Sequence, residues 1–124
     1  MKVGIAGLGL IGGSLAKAYA KSGAQVYGYD GIRVVQDFAK LQGVLVGDLD
    51  ETTAGECDLL LAALYPQVSI EYLKKIAPYV SKEALVMDCC GVKREVCQVG
   101  FQLAEEYGFT FVGGHPMAGT QYSG

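Results

Sequence analysis

The run Gly7-Leu8-Gly9-Leu10-Ile11-Gly12 sets three glycines in a Gly-x-Gly-x-x-Gly spacing, and Asp30 follows 18 residues after the last of them. A turn of this composition suits a phosphate. The first glycine permits a tight reversal, the second lets the backbone approach a pyrophosphate with no Cβ between them, and the third lets the next helix pack closely on a sheet. The start of that helix adds N–H groups and a partial positive charge. Asp30 is then placed for the hydroxyls of an adenine ribose, so NAD is the expected cofactor, with Gly7, Leu8, Gly9, Leu10, Ile11, Gly12 and Asp30 as its binding residues. Arg33, three residues past Asp30, is placed to meet a 2′-phosphate, which keeps NADP open as a second cofactor. The plainer reading of Arg33 is a solvated charge at a helix start.

His115, the chain's only histidine, lies in Gly113-Gly114-His115-Pro116-Met117-Ala118-Gly119. An imidazole titrates close to physiological pH and serves as a general base when held beside an acidic proton. Ligands of open α/β sheets bind outside the carboxyl ends of the strands, and His115 follows an apolar, strand-like run. Pro116 biases the backbone of His115 towards extended conformations, which helps to aim the ring. The alternative is a lone histidine hydrogen-bonded in a loop.

These groups need a frame, and the hydrophobic pattern supplies one. Apolar runs of strand length alternate with stretches of helical period, which predicts a parallel sheet covered by helices. Strands are expected near Lys2–Ala6, Gln25–Tyr29, Leu45–Val46, Leu59–Ala63, Ala84–Asp88 and Phe109–Val112. Helices are expected over about Gly12–Lys21, Val34–Leu41, Val68–Ile76 and Lys93–Tyr107. Residues 47–57 are the least clearly patterned. Gly23, Gly43 and Gly108 fall where helices should end, and Pro66 and Pro78 bracket the third helix. The fold class is therefore α/β, a Rossmann-type, doubly wound and mainly parallel six-stranded sheet in the order 3-2-1-4-5-6, built as a single domain over residues 1–124. Ala63 and Leu64, after the fourth strand, should touch the dinucleotide through backbone and apolar contacts.

Composition narrows the partners. A chain of 124 residues with 51% hydrophobic side chains can bury one sizeable core. Its net charge of −3, with Lys and Arg scattered, gives no basic stripe for nucleic acid. Apolar runs are too short to cross a bilayer, and no targeting segment is read at the start, so a cytoplasmic protein without membrane association is expected. Cys57, Cys89, Cys90 and Cys97 lack the paired spacing of a zinc site, so no metal is expected, and they read as reduced packing residues. Cys89 and Cys90, near where a nicotinamide would lie, leave a reactive thiol as the less favoured reading.

The fingerprint followed by Gly13-Ser14-Leu15-Ala16, then Gly28-Tyr29-Asp30, and finally Gly114-His115-Pro116-Met117-Ala118-Gly119 with Ser123-Gly124, resembles the prephenate dehydrogenase family, which includes arogenate dehydrogenases. The resemblance implies oxidative decarboxylation of prephenate or arogenate with NAD or NADP on the route to tyrosine. It implies that His115 accepts the proton of the ring hydroxyl while hydride leaves the same carbon. It further implies a helical domain after the dinucleotide-binding domain that completes the substrate pocket and forms a homodimer. The chain ends about where that domain would begin, so it is expected to bind cofactor with little turnover alone. Two positions depart from the family pattern. Gly91 stands where the family has a serine near the histidine, and Gln121 stands where a glutamate is common. Lys93 matches the family but equally suits a helix start.

Two other classes stay open on the sequence. A stand-alone dinucleotide-sensing module, like those attached to potassium channels, or a pseudoenzyme would keep the glycine turn and Asp30 without the chemistry. Another two-domain oxidoreductase, such as a hydroxyacid or imino-acid reductase, would share the N-terminal fold but place its catalytic groups elsewhere.

Overall fold

The structure, a computed structural model, describes residues 1–89 and 94–113. Strands β1 (Lys2–Ala6), β2 (Gln25–Tyr29), β3 (Gly47–Asp48), β4 (Leu59–Ala62), β5 (Leu85–Asp88) and β6 (Thr110–Gly113) alternate with helices α1 (Leu10–Lys21), α2 (Arg33–Leu41), α3 (Pro66–Ile76) and α4 (Arg94–Tyr107). All strand pairs are parallel, in the order β3-β2-β1-β4-β5-β6. This is the order expected from the sequence. It turns at β1 and β4, whose carboxyl ends, at Ala6 and Ala62, lie side by side in register.

A parallel sheet with helices on both sides must be apolar on both faces, and the strands read that way. Val3 and Ile5 of β1 and Leu61 of β4 point to the face covered by α1 and α2, where they meet Ala16, Leu15, Val35 and Ala39. Ala6, Leu60, Ala62 and Val86 point to the opposite face and pack with Ile70 and Leu73 of α3 and Val96 of α4. Ile5, Leu60 and Val86 have no solvent exposure. Each such burial stabilises the fold by roughly 1.5–3 kcal/mol before chain entropy is counted.

Most element boundaries fall within two residues of the sequence expectation, with two informative differences. The third strand is Gly47–Asp48, not Leu45–Val46. The Val44 and Leu45 amides both bond the Ala39 carbonyl at the end of α2, so this stretch is still leaving the helix. Leu45 is buried, but as a loop side chain laid over Gly28. Leu45 thus marked a core contact, Val46 is exposed and only its amide reaches β2, at the Val26 carbonyl 2.8 Å away, and strand pairing begins one step later as Tyr27↔Gly47 and Gly28↔Asp48. The first helix also starts at Leu10, two residues earlier than its apolar period indicated, which puts Gly12 inside the first turn. Short 3₁₀ turns at Ala54–Glu56 and Ala77–Tyr79 complete the chain path. Among the described residues no helix is long and apolar enough to cross a membrane.

The packing of α4 on β6 is tight enough to forecast. Gly100 of α4 faces the Phe111 ring, which stands edge-on to Phe101 with centroids 5.2 Å apart. Alanine in a helix interior gains up to about 1 kcal/mol over glycine. Here its Cβ would run into the Phe111 ring, and such overpacking costs about 1–3 kcal/mol. Gly100→Ala is therefore expected to destabilise the chain, read as a lower urea midpoint in chemical denaturation; a raised midpoint would show that the ring yields freely.

Candidate functional site

The chain leaves β1 at Ala6 and reverses at Gly7, whose φ of +96° lies in the left-handed region that side chains rarely adopt. A Cβ at Gly7 would also strike the Ala63 carbonyl oxygen, and one at Gly12 would collide with the Gly7 carbonyl oxygen. The helix therefore rests directly on the turn and on Ala63, whose own Cβ is 3.2 Å from where a Gly12 Cβ would stand. Gly7 donates its amide to the Tyr29 carbonyl at 2.7 Å, and Ala63 donates to the Ala6 carbonyl at 2.7 Å. These bonds extend the ladders of β1 with β2 and β4 up to the turn.

Helix α1 opens with Gly9 as its cap residue, with no side-chain cap and no acidic residue in the first turn. Its first internal bond runs from the Gly13 amide to the Gly9 carbonyl at 2.7 Å, which leaves the amides of Leu10, Ile11 and Gly12 ahead of the helical ladder. A Cβ on Gly9 would meet none of the other described residues within 4 Å. Open space over Gly9, beside a helix N-terminus that no carboxylate of its own first turn serves, fits a pyrophosphate.

Asp30 sits just beyond β2 and grips the same turn. One carboxylate oxygen, Oδ2, accepts the Leu8 amide at 2.8 Å, and Oδ1 accepts the Ile32 amide at 2.8 Å. Two oxygens offer about four acceptor sites, so a carboxylate holding two amides still has lone pairs for ribose hydroxyls. The backbone of Asp30 is fixed in turn, because its amide donates to Gln36 Oε1 at 2.9 Å. Tyr29, the preceding residue, stacks on Tyr72 of α3 with ring centroids 4.8 Å apart.

The structure thus brings Gly7, Leu8, Gly12, Asp30, Ala63 and Leu64 together at the carboxyl edge of the sheet, with Leu64 3.0 Å from a Cβ built at Gly7. Leu64 is tied to α3, where Ser69 Oγ donates to its carbonyl at 3.1 Å. Leu10 is almost fully exposed, whereas Ile11 packs into the core under α1. Arg33 is turned to other partners. Its Nε lies 3.1 Å from Asp37 Oδ1 and its Nη2 3.5 Å from Asp48 Oδ2. A cleft of about 270 Å³ between α1 and α2 touches the turn at Leu8, Gly9 and Leu10, but neither Asp30 nor Ala63 forms its walls.

His115 lies outside the described residues, as do Cys90, Gly91, Lys93 and Gln121. Cys89 is buried with Val3 and Ile5 in the core under α1. Burial pushes the Cys57 thiol up to about 11, which keeps it protonated and unreactive near neutral pH. Among the described residues no three His, Cys, Asp or Glu side chains gather as a metal site.

Three residues important to this geometry carried no motif. Gln36 is 2% exposed and donates its Nε2 to Asp48 Oδ1 at 2.8 Å while accepting the Asp30 amide. Asp48 also receives Lys40 Nζ at 3.2 Å. The Gln36 amide, followed by the Lys40 ammonium and the Arg33 guanidinium, holds the Asp48 carboxyl below the ordinary carboxylate range against the opposing effect of partial burial. Asp37 completes the set through Arg33. The signal for Gln36 was present as a polar residue between Val35 and Ala39 on the inward side of α2, but the sequence does not say what it meets.

A family model described as "Prephenate dehydrogenase, nucleotide-binding domain" matches residues 15–124. The chain belongs to this family. It is 34% identical over 127 aligned residues to a prephenate dehydrogenase of Lactococcus lactis subsp. cremoris, an alignment that covers 99% of the chain and 36% of that relative. Among solved structures it is similar to the Synechocystis arogenate dehydrogenase, with a TM-score of 0.84, 29% identity, and coverage of 98% of this chain and 43% of that one. It is also similar to a prephenate dehydrogenase from A. aeolicus in complex with hydroxyphenyl propionate and NAD+, with a TM-score of 0.77, 32% identity, and coverage of 100% and 44%. The chain thus spans less than half the length of each of these relatives.

Membership in the family leaves the Gln36 link as the feature of this site that its own geometry reveals. Gln36→Leu would keep the bulk but strand the Asp30 amide, and an unpaired buried polar group costs about 1–3 kcal/mol. The variant is expected to lose stability in that range on urea denaturation, and Gln36→Glu is expected to lose at least as much, because it keeps the acceptor for Asp30 but sets a buried carboxylate against Asp48 Oδ1.

Proposed function

We propose that residues 1–124 are the dinucleotide-binding domain of a prephenate or arogenate dehydrogenase, an oxidoreductase on the route to tyrosine, and that the domain binds NAD. The observation that carries this reading is the pairing of the open helix start over Gly9 with the Asp30 carboxylate, which holds Leu8 on one oxygen and keeps acceptor capacity for a ribose. Gly7 and Gly12 support it by letting turn, helix and β4 meet without side chains between them. Ala63 and Leu64 line the same edge. Bound NAD would supply the hydride acceptor. In this reading the amides of Leu10, Ile11 and Gly12 hold the pyrophosphate, and Asp30 orients the ribose and disfavours a 2′-phosphate by charge.

His115 is the proposed base, on the strength of the His-Pro-Met-Ala-Gly segment. A neutral imidazole takes the proton of the ring hydroxyl as hydride leaves the carbon that bears it, and loss of CO₂ then makes the ring aromatic. Gly91 in place of the family's serine removes one hydroxyl donor beside it, worth about 0.5–1.5 kcal/mol. A helical domain would complete the substrate pocket and the homodimer, in the cytoplasm.

The phosphate placement has a direct test. Gly9 has a φ of −75° and a ψ of −148°, and a Cβ built there meets none of the other described residues within 4 Å, so the side chain of Gly9→Val would fill the pyrophosphate position. Calorimetric titration with NAD is expected to show binding to the wild type and at least tenfold weaker binding to Gly9→Val, with equal thermal denaturation. Undiminished affinity in a folded variant would place the cofactor elsewhere. For the chemistry, prephenate with NAD is expected to give little NADH with this chain alone; robust NADH production would overturn the need for a helical domain.

A further inference from the structure

Arg33 opens α2 three residues after Asp30, where an arginine would be the natural ligand of a 2′-phosphate because its planar fork matches phosphate oxygens. Its guanidinium is instead shared between two carboxylates, Asp37 Oδ1 at 3.1 Å and Asp48 Oδ2 at 3.5 Å. Asp37 is one helical turn along the same face. Asp48 is the more telling partner, because it is not a loose surface acid. The buried Gln36 amide fixes its Oδ1 at 2.8 Å, Lys40 approaches the same oxygen at 3.2 Å, and Gln36 ties the assembly to the Asp30 backbone.

We propose that Asp48, with Asp37, is a specificity-determining residue that disfavours NADP by holding the Arg33 guanidinium away from the ribose faced by Asp30. This rests on the dinucleotide reading above. The charge balance of the corner agrees with it. Arg33 and Lys40 stand against Asp30, Asp37 and Asp48, two cations against three carboxylates, so the neighbourhood keeps one net negative charge. A 2′-phosphate brings further negative charge and meets no uncommitted cation in this set. The clamp is exposed, with the Arg33 side chain 62% accessible, so its effect is moderate: an exposed ion pair shifts an equilibrium by at most roughly fivefold.

The test is the ratio of the dissociation constants for NADP and NAD, measured by calorimetry on the whole chain. Asp37→Asn/Asp48→Asn keeps the side-chain volumes and an acceptor for Gln36 while removing both charges. The ratio is expected to fall about five- to twentyfold in this variant, and to return towards the wild-type value when Arg33→Ala is added. A ratio unchanged within about twofold, or a fall that survives Arg33→Ala, overturns the proposal, the second because it would show only a loss of negative charge. Should the double variant fail to fold, Asp37→Asn alone lies on the surface and is expected to give a fall of about two- to fivefold, again reversed by Arg33→Ala; no fall overturns the proposal. If the wild type binds neither dinucleotide, the functional reading falls and this one with it. If it binds NAD and the ratio does not move, only the clamp is lost.

Discussion

The Asp30 carboxylate joins the glycine turn to the start of α2 just past the end of the β1–β2 ladder. Through Oδ2 it holds the Leu8 amide of the turn that follows β1, and through Oδ1 the Ile32 amide that leads into α2. Hydrogen bonds to an ionised acceptor are roughly twice as strong as neutral ones, so this side chain sets the spacing between the first two βα units at the edge of the sheet. The direction of α1, the seat of Gly9 and the start of α2 all depend on that spacing. The backbone of Asp30 is itself secured by Gln36, so the anchor does not rest on the rotamer of one side chain.

Close approach is the second constraint. Turn, helix and β4 meet where Gly7, Gly12 and Ala63 leave no room for larger residues. The core on each face then fixes the helices from below, through Ala16 and Val35 on one side and Ile70, Leu73 and Val96 on the other. The carboxyl edge of β1 and β4 is rigid because it is packed from both faces and from above by the turn. A helix start held in this way keeps its first amides pointed at one place, which is what binding an anion without reorganisation requires.

The parts of this arrangement that repeat along the chain were legible in its sequence. Alternating strand and helix periods gave the sheet order, and the Gly7–Gly12 spacing with Asp30 gave the turn and its carboxylate, because both depend on local pattern. What escaped was set by contacts between distant segments. Leu45 and Val46 look like a strand because they are apolar, yet Leu45 serves as a plug over Gly28, and pairing starts at Gly47. Gln36 and Asp48 are 12 residues apart, and nothing in their spacing says that one will hold the other. Arg33 was legible as a cation near Asp30, but its commitment to Asp37 and Asp48 is a matter of side-chain geometry.

Strand β3 is only two residues long and lies at the edge of the sheet. Such brevity protects the molecule from recruiting a foreign strand, since so few groups are left to pair. It also means that Asp48 rides on the segment with the fewest ladder bonds. Regions with few bonds open locally at a lower free energy than the global unfolding of the core. The acidic corner beside Asp30 is therefore built on the shortest strand of the sheet, where local opening costs least, while the turn over β1 and β4 stands on longer ladders.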